Sequence, residues 1–134
     1  MRIAILGAGR VGSHLANAMI NKNGHAIIVV DEKERKLKNI VEHPNIHRIQ
    51  GNIFDEKISD RVFSETVDVF VVVTGNDNTN IMAAQAMQKK YPVQDVLIRI
   101  FDSDLADVYR KLGFKIVCPT DYTLAGFIKM LGGK

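Results

Sequence analysis

Gly7-Ala8-Gly9-Arg10-Val11-Gly12 follows directly on the apolar run Arg2-Ile3-Ala4-Ile5-Leu6. Glycines at G-x-G-x-x-G spacing between a strand and a helix restrict this chain more than any other feature. Gly7 permits a tight turn out of the strand. Gly9 lets the backbone approach a phosphate, and Gly12 lets the helix pack closely on the strand. The helix N-terminus then offers unpaired N–H groups and a partial positive charge to an anion. As a bare pattern the spacing is weak, but between a strand and a helix it is specific.

The rest of the chain repeats that strand–helix rhythm. Short apolar, β-branched runs fall at 2–6, 26–30, 46–50, 67–73, 96–100 and 115–117. Val69-Phe70-Val71-Val72-Val73 is apolar on both faces, the mark of a parallel sheet covered on both sides. Amphipathic stretches lie between the runs. Val11, Leu15, Ala18 and Met19 share one helical face, and Leu37, Ile40 and Val41 mark a second helix after Asp31. A weakly patterned third helix spans 55–65, and a fourth spans 78–90 with Ile81, Ala84 and Met87 inward. Leu105, Val108, Tyr109 and Leu112 form the apolar stripe of a fifth, which stops at Gly113. Six strands alternating with helices predict an α/β fold, a Rossmann-type doubly wound parallel sheet of order 3-2-1-4-5-6.

A last amphipathic segment carries Leu124, Phe127, Ile128 and Leu131. It has no further strand to return to, so it covers the sheet or packs on a second subunit. The tail Gly132-Gly133-Lys134 is too short to act as a linker.

The 134 residues are read as a single domain, 1–134. The net charge of +3 is dispersed among acids, and aromatics make up only 7% with no tryptophan. A nucleic-acid protein shows a concentrated basic stripe with aromatic platforms, so no nucleic-acid partner is expected. Cys118 is the lone cysteine and cannot form an internal disulfide, which fits a reducing compartment.

Asp31 ends the second strand at roughly the 20-residue spacing expected after the glycines. A carboxylate there accepts hydrogen bonds from ribose hydroxyls and repels a 2′-phosphate, so NADP is disfavoured. It also suits an N-cap for the next helix with Glu34 as its box partner, and the two roles are compatible. The switch-point rule places ligands at the carboxyl ends of strands one and four, where Thr74-Gly75-Asn76 stands. Asn76, Asp77 and Asn78 equally suit a loop and helix cap. Gly51-Asn52 either borders an adenine or forms a plain turn. Arg10 suits a bidentate phosphate contact, or points to solvent or a neighbouring subunit. Arg99 lies inside an apolar strand and calls for an anionic partner, either a ligand phosphate or Asp77. His43 and His47, separated by Pro44, read as loop histidines, and no metal site is expected. The remaining loops hold no nucleophile–base pair, and the fold consumes the chain. A binding module is therefore favoured over an enzyme, with an NAD-dependent oxidoreductase or its isolated cofactor-binding domain as the alternative.

These motifs resemble the RCK N-terminal domain, also called KTN or TrkA-N, of potassium-transport regulators. The likeness rests on 7–12, on Asp31, and on Val72-Val73-Thr74-Gly75-Asn76-Asp77-Asn78-Thr79-Asn80. Leu97-Ile98-Arg99-Ile100 and Tyr109-Arg110-Lys111-Leu112-Gly113-Phe114 extend it over nearly the whole chain. The resemblance implies a nucleotide-sensing regulatory subunit of a potassium channel or transporter. It implies a cytoplasmic location, peripheral to the inner face of the membrane through that partner. NAD(H) or ATP/ADP is the implied ligand, contacted by Gly7, Ala8, Gly9, Arg10, Val11, Gly12, Asp31, Thr74, Gly75 and Arg99. Asn52 is added from its place after the third strand. The resemblance also implies a homodimer or larger homo-oligomer through Leu124, Phe127, Ile128 and Leu131. Two departures stand out: many members continue into a second, C-terminal ligand-binding domain, and Gly51-Asn52-Ile53 lacks the acid often seen beside that glycine.

Overall fold

A computed structural model describes residues 1–132, so Gly133 and Lys134 of the tail lie outside the described residues. The chain runs β1 (Arg2–Leu6), α1 (Arg10–Ile20), β2 (Ala26–Asp31), α2 (Glu34–Leu37), β3 (Ile46–Gln50), α3 (Glu56–Val62) and β4 (Val69–Val72). It continues through α4 (Asp77–Lys90), β5 (Asp95–Arg99), α5 (Ser103–Lys111), β6 (Lys115–Val117) and α6 (Pro119–Met130). The six strands form one sheet of order β3-β2-β1-β4-β5-β6, every pair parallel. The doubly wound order expected from the sequence is the observed one.

Alternation along the central strands divides the core in two. Ala4, Leu6, Ile28, Val30, Phe70, Val72 and Ile98 face α3, α4 and α5. Ile3, Ile5, Ile27, Val29, Val71 and Val73 face α1 and the buried Leu37 and Ile40. Fully buried β-branched residues on both faces explain why these runs are continuously apolar.

Helix faces depart from the sequence reading in three places. In α1 the buried residues are Gly12, Ser13, Ala16 and Ile20, while Val11 is exposed and Leu15 and Met19 only half-buried. A Cβ on Gly12 would fall 1.8 Å from the Gly7 carbonyl oxygen, so α1 approaches through its small residues and turns its larger ones aside. The second helix is four residues long; Leu37 and Ile40 are buried as expected, but Val41 is exposed. In α5 only Ala106 is fully buried, with Leu105 and Tyr109 packed alongside; Val108 and Leu112 of the expected stripe face solvent. That helix does stop at Gly113, which takes φ +95° while Phe114 N–H donates to the Tyr109 carbonyl at 3.1 Å.

The last helix does not cover the sheet. No residue of α6 is buried, and Leu124, Phe127, Ile128 and Leu131 are all exposed. Its first turn is tied to α5 instead: Ser103 Oγ donates to Asp121 Oδ1 at 2.8 Å, and Arg110 donates to Asp121 Oδ2 at 3.2 Å. These donors, Ser103 first and Arg110 after it, hold the Asp121 carboxyl below the usual aspartate value.

Candidate functional site

A cleft of about 630 Å³ opens at the carboxyl ends of β1, β2, β3 and β4. Gly7 and Gly9 form one wall, with Val30 and Asp31 from β2, Gly51 to Phe54 after β3, and Val73 to Asn76 after β4. Arg99 from β5 and Thr79 from α4 also line it.

The three glycines act differently. Gly7 has φ +108°, and a Cβ there would meet the Val73 carbonyl oxygen at 2.7 Å. Its replacement would push β1's turn off the end of β4. Gly12 locks the helix onto the turn, as described above. Gly9 has no atom within 4 Å of where its Cβ would stand, so nothing inside the chain requires a glycine there.

Helix capping sharpens that contrast. Helices α3, α4 and α5 are each capped by a side chain: Asp55 accepts from Lys57 N–H, Asn76 from Thr79 N–H, and Asp102 from Asp104 and Leu105 N–H. Helices α1, α2 and α6 have no side-chain cap, and of these α1 begins at Gly9 in the glycine turn that walls the cleft. Its first-turn donors therefore stand at the cleft without a protein acceptor from the cap position.

Of the other turn residues, Ala8 is fully buried and Gly12 packs beneath the turn, while Arg10 and Val11 are exposed on α1. These four do not line the cleft. Ala8 instead donates its N–H to Asp31 Oδ2 at 2.9 Å. Asp31 Oδ1 accepts from Lys33 N–H at 2.8 Å. Asp31 thus braces the glycine turn against the end of β2. It is not the helix cap: Lys33 holds that position, so the pairing with Glu34 does not form.

Thr74 is held by Asn80, a residue the sequence reading quoted but gave no role. Asn80 is fully buried in α4. Its Oδ1 accepts from Thr74 N–H at 3.0 Å and from the Thr74 hydroxyl. Its Nδ2 donates to the carbonyls of Thr74 at 3.1 Å and Arg99 at 2.9 Å. One carboxamide, with both donors and both acceptor sites engaged, fixes the ends of β4 and β5 to each other. A polar residue among inward-facing positions of an amphipathic helix was the available signal. Asp77 adds to this join by accepting from Phe101 N–H at 2.9 Å and Asp102 N–H at 3.1 Å.

Arg99 does not pair with Asp77. One of its terminal nitrogens donates to the carbonyls of Val73 at 3.1 Å and Thr74 at 2.9 Å, and its guanidinium lies 4.8 Å from the centre of the Phe101 ring. Its Nε is buried without a partner. Burial lowers its affinity for the proton, opposed by the charge of Asp77. Carbonyl oxygens satisfy part of what an anion was expected to satisfy, and strand alternation alone does not reveal them.

Asn52 lines the cleft, but its Oδ1 accepts from Phe54 N–H at 2.9 Å. Lys33, Lys36 and Phe54 line the same end and were not anticipated, because spacing does not reveal which loop residues a fold gathers. Of the two histidines, His47 stands in β3 and not in a loop, and His43 Nδ1 accepts from Asn45 N–H at 3.0 Å.

A parallel sheet of this order, with a glycine turn after β1 and a carboxylate closing β2, defines the Rossmann class of α/β domain. Within that class the chain belongs to the TrkA-N domain family, whose model matches residues 3–119. It is 32% identical over 131 residues to the Trk system potassium uptake protein TrkA of Streptomyces coelicolor, covering 98% of this chain and 58% of that protein. A TrkA homolog of Methanothermobacter thermautotrophicus is 30% identical over 131 residues, with 98% and 60% covered. The chain therefore spans about three fifths of the length of these curated relatives. Among solved structures, the TrkA-N domain of inner membrane protein ybaL from Escherichia coli superposes with TM-score 0.81 at 16% identity, covering 97% of this chain and 96% of that one. The Shewanella denitrificans Kef CTD, in an AMP-bound form, gives TM-score 0.76 at 16% identity, with 98% and 80% covered. No helix among the described residues is long and apolar enough to cross a membrane.

Proposed function

We propose that this domain is the nucleotide-sensing part of a regulatory subunit that controls a membrane potassium channel or transporter from the cytoplasmic face. The observation that carries the reading is the uncapped start of α1 beside the open space at Gly9. A phosphate accepts from such a helix start and gains from its dipole. Asp31, already fixed by two backbone donors, has further lone pairs for ribose hydroxyls. Arg99 offers charge at the β4 side of the same cleft.

The ligand proposed is an adenine nucleotide, NAD(H) or ATP/ADP. The relatives named as potassium uptake proteins support the transport context, and the AMP-bound solved neighbour supports the ligand class. Asp31 disfavours a 2′-phosphate; Lys33 and Lys36 beside it weaken that repulsion, which makes NADPH the informative comparison. Arg10, exposed on α1, is free to reach a terminal phosphate that extends out of the cleft. The exposed apolar side of α6 pairs with a second copy, and ligand exchange acts by changing that pairing. No catalytic step is assigned to the domain.

Calorimetric titration with NADH, NAD, ATP, ADP and NADPH tests the reading. Binding of at least one adenine nucleotide, weakened by Asp31→Ala, is expected. No binding by any of the five would overturn it, and turnover of NADH would return the oxidoreductase alternative.

A further inference from the structure

Strand order sets the order of a ligand's parts across the cleft. If the phosphates sit at the β1 turn and a ribose at Asp31 of β2, the next station is the end of β3. Adjacent strands stand about 4.8 Å apart, so that station lies roughly 10 Å from the glycine turn. A nucleoside base attached to that ribose arrives there.

Two side chains at the end of β3 are each engaged through one atom. Gln50 Nε2 donates to the Glu32 carbonyl at 3.2 Å. Asn52 Oδ1 accepts from Phe54 N–H at 2.9 Å, and the Asn52 carbonyl accepts from Asp55 N–H at 3.0 Å. Asp55 in turn caps α3. These bonds make 52–55 a rigid turn that displays Phe54, a phenylalanine 45% exposed at the cleft wall. Lys36, half-buried, and Lys33 line the same end. A lysine donates only, and adenine and guanine share the N7 acceptor it would meet.

We propose that Phe54 is the platform on which the ligand's base stacks, and that the site holds purine nucleotides without choosing strongly between adenine and guanine. This rests on the nucleotide reading above and adds the base subsite to it. Every base has a π-face, so stacking is tolerant of base identity.

The experiment is calorimetry of ADP and GDP against the wild type, Phe54→Ala and Phe54→Tyr. Wild-type affinities for the two differing by less than about tenfold are expected. Phe54→Ala should weaken both by about five- to a hundredfold, the range of one lost stacking contact. Phe54→Tyr, which keeps the ring, should restore both, and thermal melting checks that each variant is folded. ADP binding with GDP excluded, or a folded Phe54→Ala with unchanged affinities, overturns the platform but leaves the nucleotide reading intact. Failure of both nucleotides to bind the wild type overturns the nucleotide reading itself.

Discussion

Asn80 is fully buried and commits both donors and both acceptor sites within the chain, while none of the twelve residues of α6 is fully buried and all after Asp121 are exposed. At the cleft, Asp31 on the turn and Asn80 and Asp77 between β4 and β5 all have partners within the domain, and Arg99 Nε alone of the groups described there is buried without one. Phe127 on α6 is 63% exposed and Leu131 just after it 85%, and Asp121 in the first turn is fastened to the domain by side chains of α5. Large contiguous apolar surface is uncommon on a lone soluble domain and marks a site of interaction. The supporting bonds at the cleft are made among the described residues, whereas the apolar side of α6 finds no cover among them.

The glycine turn should show the largest effects. Gly12→Ala places a methyl against a backbone oxygen and should cost more than about 4 kcal/mol in urea unfolding. Gly9→Ala should leave stability within about 1 kcal/mol, because the position is open and its φ of −70° suits alanine. It should nonetheless depress nucleotide affinity sharply. A stability loss at Gly9 equal to that at Gly12 would mean that both glycines serve only the fold.

Next in size is Asn80→Leu. It removes the partner of Thr74 N–H and of the Arg99 carbonyl, leaving the Thr74 carbonyl to Arg99 alone, and should cost about 2 kcal/mol or more, read by the same unfolding measurement. The α6 counterpart is Phe127→Asp. It should change the unfolding free energy of the monomer by less than about 0.5 kcal/mol and abolish self-association in sedimentation velocity. A persistent dimer would place the interface elsewhere.

The smallest effect is one of pH. Because the Asp121 carboxyl is held below its ordinary value, its contribution is complete above about pH 3.9, the usual aspartate pKa. It is lost as pH falls through the lower, folded value. A carbon chemical-shift titration of the Asp121 carboxyl should show that displacement, and Ser103→Ala should reduce it.

Much of this was legible in the sequence where the constraint is local and steric. Continuous apolar runs marked central strands, and the glycine turn marked the cleft, since few other residues satisfy those backbone demands. Helix faces were less legible. The period-3.6 stripe says that a face is apolar, not that this chain covers it, so α5 and α6 carry apolar residues in solvent. The stripe of α1 misled because close backbone approach selects glycine, serine and alanine over larger apolar residues. Arg99 called for an anion because its carbonyl partners, just past the end of β4, belong to the fold, not to any spacing. Phe54, Lys33 and Lys36 come together only when β2 and β3 pair.

Hydrogen exchange followed by mass spectrometry reads both regions in one measurement. With saturating ADP or NADH, amides of 9–12 and 74–76 should slow. Amides of α6 should slow as protein concentration rises, and not in Phe127→Asp. Exchange at the glycine turn that is indifferent to every adenine nucleotide would contradict the account at its centre.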